Sequence, residues 1–328
     1  LRPVYVVGIG LHPSQKPSDT PYTALGVHAI RAAIEDAGIS WADVNSAYTG
    51  TATTAMGMSR LMYRHLGATG IPMVQVENAS ASGSTAFRQA CIEVASGLTN
   101  VSIAVGVDKP LGAKMPQRAA GIRDLGGSRV APFTHFALLA NRYMHDHGAT
   151  PEQFAAVAVK NSKNGALNPN AQRQKARTME EVLAPPQISG PLTKLQCCPI
   201  GEGAAAAIVV SEDALTQLGL DRSRAVRVLS SASRSETVYE GENFDAALTR
   251  ETTAQALSET GLKPSDLDLI ELHDAFTMEE LLYVEAMGLC KEGQAASQLV
   301  EGQFDIGGRV AVSSSGGLLS MGHPIGPT

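Results

Sequence analysis

A β-α-β phrase occurs twice in this sequence, once near each end. The first copy opens with an apolar strand, Val4–Gly10. A helix follows that closes with Ala32-Ala33-Ile34-Glu35-Asp36-Ala37-Gly38, then a loop Trp41–Val44 and a strand into Tyr48-Thr49-Gly50. The second copy opens with Val226–Ser231 and a helix closing Gln255-Ala256-Leu257-Ser258-Glu259-Thr260-Gly261. The loop Pro264–Leu267 then leads to the strand Leu269–Leu272. Each helix stops at a glycine, Gly38 or Gly261, as a left-handed cap requires. In each copy an aspartate, Asp43 or Asp266, stands five residues further on, within a short helix-to-strand connection. Matched phrases of this kind predict two similar α/β halves.

The boundaries expected from this pattern are 1–108 for the first part of the N-terminal half, 109–199 for an inserted loop region, 200–225 for the end of that half, and 226–328 for the C-terminal half. The insert carries Pro132, Pro151, Pro169, Pro185-Pro186 and Pro191, with one clear helix around Phe136–His147. Inserts of that length are lids, substrate loops or plain connections. A chain of 328 residues, 44% of them hydrophobic, supports a large core. The net charge of −6 comes without a basic run, so no nucleic-acid surface is expected. The apolar runs are too short to span a bilayer, and the first residues read as a strand rather than a secretory leader. Cys91, Cys197, Cys198 and Cys290 fit neither zinc-ligand nor disulfide spacing; they read as reduced thiols of a cytoplasmic protein with no bound metal.

Three stretches carry candidate chemistry. In the first, a buried strand Val74–Glu77 runs through the small-residue turn Asn78-Ala79-Ser80-Ala81-Ser82-Gly83-Ser84 into a helix over Thr85–Ala95. This puts Ser80 at a helix N-terminus, where backbone N–H groups and the dipole favour negative charge; the same residues also suit a structural cap. In the second, His273-Asp274-Ala275-Phe276 follows directly on the strand Leu269–Leu272. In the third, Gly316-Gly317-Leu318-Leu319-Ser320-Met321-Gly322-His323-Pro324-Ile325-Gly326 follows the strand Arg309–Ser313. Histidines at strand ends in stiff loops lie where open α/β sheets put their sites.

Together with Cys198-Pro199-Ile200-Gly201-Glu202-Gly203-Ala204-Ala205, these motifs resemble the thiolase superfamily, especially its sterol-carrier-protein-type members, along essentially the whole chain. The resemblance implies a duplicated five-layered α-β-α-β-α fold with an inserted loop domain, a homodimer, and a coenzyme-A thioester as substrate. It implies no cofactor beyond the coenzyme A that the substrate carries. It also implies that Ser80 stands where the family has an acylated cysteine. His323 then matches the histidine that activates that cysteine and lines an oxyanion hole, and His273 matches the one that holds a water or thioester oxygen. The same resemblance suggests substrate or coenzyme-A contacts at Asn78, Gly317 and Gly322. The family's second cysteine falls beyond Thr328.

A serine hydroxyl is far less acidic than a thiol and makes a poor acyl carrier without a strong base. Three readings follow: a thiolase (acetyl-CoA acyltransferase) with its nucleophile replaced, a non-catalytic acyl-CoA- or lipid-binding subunit, or an enzyme that keeps the enolate-stabilising donors and dispenses with acyl capture. A retro-aldol cleavage is such a reaction, because it expels a thioester enolate but needs only an acid and a base. Tyr283, on the helix after the His273 motif, is the candidate proton carrier if its neighbours lower its pKa; a ring packed in the core is the alternative. Tyr239, in a polar loop, is a second candidate for substrate contact. The combination of Ser80 and Tyr283 resembles the thiolase-like aldolases of steroid side-chain breakdown. Those enzymes release a ketone and propionyl-CoA and work with a small partner built from a zinc ribbon and an OB-fold.

Overall fold

The computed structural model describes residues 1–110, 132–240 and 243–328. Along the chain run β1 (Val4–Gln15), α1 (Tyr22–Ala37), β2 (Ser46–Gly50), α2 (Met58–Tyr63), β3 (Met73–Val76), α3 (Ser82–Ser96) and β4 (Val101–Asp108). Next come α4 (Pro132–His147), α5 (Pro151–Leu167), α6 (Met179–Leu183), β5 (Gln187–Ser189), β6 (Leu192–Thr193), β7 (Glu202–Ser211), α7 (Glu212–Gln217) and β8 (Val226–Val228). The chain continues with α8 (Phe244–Thr260), β9 (Leu269–Ile270), α9 (Thr277–Ala286), α10 (Ala295–Val300), β10 (Ala311–Val312) and α11 (Gly317–Met321).

Two compact units divide these elements. One comprises Leu1–Pro110, Ile200–Ser233 and His323–Thr328. It is built on a six-stranded mixed sheet of order β3-β2-β4-β7-β1-β8, in which β2 runs parallel to β3 and β4 while β7 and β1 pair antiparallel. Every residue of β4 is buried, as its unbroken run of small and branched side chains requires of an inner strand. The helix α1 packs on β1 through Ala29, Ala33 and Ala37. Gly8 and Gly10 make the close approach possible, since a Cβ on Gly10 would lie 2.1 Å from the Ala29 carbonyl oxygen.

The other unit comprises Leu111–Pro199 and Arg234–Gly322. Its core joins α4, α5 and α9 with α10 and the parallel pair β9–β10, around Phe154, Leu281 and Phe304. Within the described part of 109–199, α4 is followed by α5, a helix the sequence pattern hides. Pro151 occupies its first turn, behind a Thr150–Gln153 capping box. Its buried positions include Lys160, Asn161, Ser162 and Asn164, and these polar residues erase the apolar stripe that marks a helix. Residues 111–131 of the expected insert lie outside the described residues.

The repeated phrase has a repeated local cause. Gly38 (φ 70°) and Gly261 (φ 73°) end α1 and α8 in the left-handed region. Asp43 then accepts the Ser40 N–H at 2.7 Å, and Asp266 accepts the Lys263 N–H at 2.8 Å, so both aspartates close the same short turn. Two expectations change. Val226–Val228 pairs with β1 on the edge of the six-stranded sheet instead of opening a second one. The strand at Val74–Glu77 is an edge strand with Val74 exposed, because β3 has β2 as its one strand neighbour in the described sheet.

Candidate active site

In the sheet unit, β3 ends in a tight turn stitched by its own side chains. Ser82 Oγ accepts the Asn78 N–H at 2.8 Å and donates to the Ala79 carbonyl at 2.7 Å, while the Asn78 amide donates to Thr85 Oγ1 at 3.0 Å. Asn78 therefore works as a turn residue here. Ala79 is driven to φ 44°, an uncommon value for a residue with a Cβ, and the next residue, Ser80, is presented ahead of α3. Ser80 Oγ lies 3.2 Å from His323 Nε2. On the other side of the ring, Nδ1 lies 2.8 Å from Thr328 Oγ1, and that hydroxyl donates to the Pro324 carbonyl at 3.1 Å. With its proton used there, Thr328 accepts from Nδ1–H, which leaves Nε2 as the acceptor facing Ser80. The loop after His323 is anchored by Asp108, whose buried carboxylate accepts the Gly326 N–H at 2.5 Å and the Thr51 hydroxyl at 2.8 Å.

In the helical unit, His273 leaves β9 and meets the first turn of α9. Glu279 Oε1 lies 2.9 Å from His273 Nδ1 and accepts the Tyr283 hydroxyl at 3.3 Å; its Oε2 accepts the Phe276 N–H at 2.8 Å. Glu279 and Tyr283 stand one helical turn apart, so both side chains reach the same face. Burial opposes charge on His273, but the hydrogen bond and charge of Glu279, with the charge of Asp245, raise its pKa above the ordinary histidine value. For Tyr283 the expectation is reversed. Burial first, then the charges of Glu279 and Asp245, push its phenol far above the usual range, so it stays a neutral O–H that can give a proton but not a phenolate base.

Behind His273 lies a buried polar knot that motif reading did not anticipate. Asp274 accepts the Leu318 N–H and the Asn161 amide, each at 2.6 Å, and Lys160 Nζ stands 3.0 Å from Glu280 and 2.6 Å from the Val312 carbonyl. Gly317 (φ 57°) is needed for this approach, since a Cβ there would lie 1.9 Å from Asp274 Oδ2. Gly317 and Gly322 (φ 88°) thus shape the loop through their backbone. Tyr239 donates to Glu251 on α8 at 3.2 Å; Gly241 and Glu242 of its loop lie outside the described residues. The signal that marks the missed residues is a polar side chain at a buried helical position: Lys160, Asn161, Glu279 and Glu280 are all buried.

A cavity of about 280 Å³ opens between α4, α8 and α9, lined by Leu139, Tyr143, Ala246, Arg250, Met278 and Leu282, with neither His273 nor Tyr283 in its wall. Among the described residues no group of three or more His, Cys, Asp or Glu is placed to hold a metal ion, and no helix is long and apolar enough to cross a membrane.

Residues 4–213 match the thiolase N-terminal domain, and residues 230–328 match the thiolase C-terminal domain-like family. The chain belongs to the thiolase family. This thiolase-family chain is 35% identical to human sterol carrier protein 2 over 355 residues, spanning all of this chain and 64% of that protein. It is 36% identical to the benzoylsuccinyl-CoA thiolase subunit BbsB of Thauera aromatica over 333 residues, covering 99% of this chain and 86% of that one. Among solved structures it resembles the Ltp2-ChsH2(DUF35) aldolase, with a TM-score of 0.83, 27% identity, and coverage of 98% of this chain and 86% of that one. Acetyl-CoA acetyltransferase from Syntrophomonas wolfei shares the fold, with a TM-score of 0.74 at 20% identity, over 100% of this chain and 90% of that one.

Proposed function

We propose that this thiolase-family chain cleaves a bulky β-hydroxyacyl-CoA, in particular a steroid side-chain thioester, by a retro-aldol reaction that releases a ketone and propionyl-CoA. In this reaction a base takes the proton of the β-hydroxyl, the Cα–Cβ bond breaks, and its electron pair becomes the thioester enolate. A proton delivered to the enolate carbon completes the acyl-CoA product. His273, whose pKa Glu279 holds above the ordinary histidine value, donates to the thioester oxygen, and the Tyr283 phenol supplies the proton for carbon. His323, whose Nε2 accepts toward Ser80 at 3.2 Å, serves in this reading to orient the Ser80 hydroxyl.

The reading is carried by the hydrogen-bonded cluster His273–Glu279–Tyr283, in a sequence that has serine at position 80. No described thiol offers a substitute acyl carrier, since burial pushes Cys197 up to about 11 and Cys91, Cys198 and Cys290 up to about 12. The likeness to the Ltp2-ChsH2(DUF35) aldolase supports the same direction. A partner protein is in keeping with the two components of the Ltp2-ChsH2(DUF35) aldolase and with the Thauera relative being a subunit; we infer a cytoplasmic homodimer that works with a small zinc-ribbon/OB-fold partner. The chemistry draws on no cofactor beyond the substrate's own coenzyme A.

A thiolase reading is favoured by one contact, Ser80 Oγ to His323 Nε2 at 3.2 Å, which keeps the nucleophile–base geometry of acyl transfer. Product analysis separates the two. Incubation with steroidal and simple β-hydroxyacyl-CoA, with and without a candidate partner, is expected to give ketone and propionyl-CoA without consuming free coenzyme A. Cleavage confined to 3-ketoacyl-CoA and dependent on free coenzyme A would overturn the retro-aldol reading. Binding of these thioesters with no turnover of any of them would assign the chain to the non-catalytic class.

A further inference from the structure

The retro-aldol reading, on which this inference rests, needs a base for the β-hydroxyl. The groups around His273 do not supply it. Tyr283 is held as a neutral phenol. Glu279 is 1% exposed and already accepts from His273, Phe276 and Tyr283. Asp274 and Glu280 are wholly buried and tied to Asn161 and Lys160.

A second dyad stands in the same unit. His135, in the first turn of α4, places Nε2 2.7 Å from Asp245 Oδ2 at the start of α8. Its ring is clamped between two phenyl groups. It stacks on Phe244 with centroids 5.6 Å apart and meets Phe136 edge-on at 5.0 Å. The clamp leads straight to the His273 cluster: Phe136 stacks on Phe276 at 5.0 Å, and the Phe276 N–H is held by Glu279. The helices agree with this path, since α4 and α8 both pack on α9. The charge of Asp245 also reaches the cluster, contributing to the upward shifts of both His273 and Tyr283.

We propose that His135, oriented by Asp245, is the base that removes the proton from the substrate's β-hydroxyl. Asp245 takes the Nε2–H and so fixes the tautomer with its lone pair on Nδ1, the arrangement by which a carboxylate makes an imidazole an effective proton acceptor. Side-chain exposures of 30% for His135 and 15% for Asp245 leave the ring reachable by substrate while the carboxylate is largely shielded. The proton leaves oxygen for Nδ1, the O–H bonding pair becomes the second bond of the ketone carbonyl, and the Cα–Cβ pair passes to the enolate that His273 and Tyr283 serve. Base and acid are then separate groups.

The test compares the intact protein with His135→Ala and His135→Gln on a β-hydroxyacyl-CoA that the wild type cleaves, with circular dichroism to check folding. We expect His135→Ala to lose about 100-fold or more in kcat/KM, and added imidazole to restore part of that loss. His135→Gln keeps a donor for Asp245 but has no proton-accepting ring nitrogen, so it is expected to stay slow. Wild-type rates in His135→Ala, or recovery of the rate in His135→Gln, would overturn the assignment while leaving the retro-aldol reading in place. A wild type that cleaves no β-hydroxyacyl-CoA would overturn both.

Discussion

Ser80 Oγ lies within hydrogen-bond reach of His323 Nε2, at 3.2 Å, and an alcohol has a far higher pKa than the thiol that the family resemblance implies at that place. The contact has the geometry of a nucleophile and its base without a readily ionised atom. Ser80→Ala is therefore expected to slow β-hydroxyacyl-CoA cleavage less than about tenfold, against 10³-fold or more for loss of a covalent nucleophile. Steady-state kinetics on the two proteins decides between these outcomes. In Ser80→Cys the new thiol sits against an imidazole, and iodoacetamide at pH 7 should label that position first, as read by peptide mass spectrometry.

Glu279 sets the charge of His273. Burial alone depresses a histidine pKa; here the hydrogen bond and charge of Glu279 overcome it, and Asp245 adds to the rise. The folded value lies above the unfolded one of about 6.5. The stability that this pair contributes is thus fully present below about pH 6.5 and is lost as pH rises through the folded pKa. Glu279→Gln should lower the His273 pKa in an NMR titration and slow cleavage about 10²-fold or more. An unchanged titration curve would remove Glu279 from this role.

Much of this was legible in the residues. Gly38 with Asp43, and Gly261 with Asp266, announce the repeated helix-to-strand turn, and the two histidine motifs mark the candidate site. What stayed hidden is what depends on contacts distant in sequence. Val226–Val228 reads as a strand from its side chains, but nothing local says which sheet edge it joins. Lys160 and Asn161 look like solvent-facing residues until Glu280 and Asp274, more than a hundred positions later, meet them in the interior. The direction of the Tyr283 shift depends on burial and on Glu279 and Asp245, whose carboxylates cannot be placed beside the phenol from sequence. His135 carries no local mark of a site, since its partner Asp245 lies on a different helix.

The native cysteines should be quiet. With Cys197 pushed up to about 11 and Cys91, Cys198 and Cys290 up to about 12, chiefly by burial, the thiolate fraction of each at pH 8 is ~10⁻³ or less. Reaction with a disulfide reagent such as DTNB is expected to be slow in the folded protein, and all four thiols should react at once in denaturant. Rapid modification of any one of them in the native state would place that thiol in a more exposed or more cationic setting than the fold gives it.

Lys160 faces two buried carboxyl groups, Glu280 at 3.0 Å and, through Asn161, Asp274. Burial raises both carboxyl pKa values; the Glu280 charge adds to the rise at Asp274, and Lys160 opposes it at both. Because the folded state holds these protons more tightly than the unfolded one, the pair costs stability as pH climbs from the ordinary carboxyl range through the raised values. Removing the cation steepens that cost. Lys160→Met is expected to destabilise the fold by about 3–5 kcal/mol near neutral pH and by less near pH 5, where the carboxyl groups are more readily protonated. Adding Glu280→Gln, which removes one of the two buried ionisable carboxyl groups, should recover part of the loss. Denaturant melts of the single and double variants at pH 5 and pH 8 measure all three effects, and a penalty independent of pH would show that Lys160 acts through packing and its bond to the Val312 carbonyl instead of through its charge.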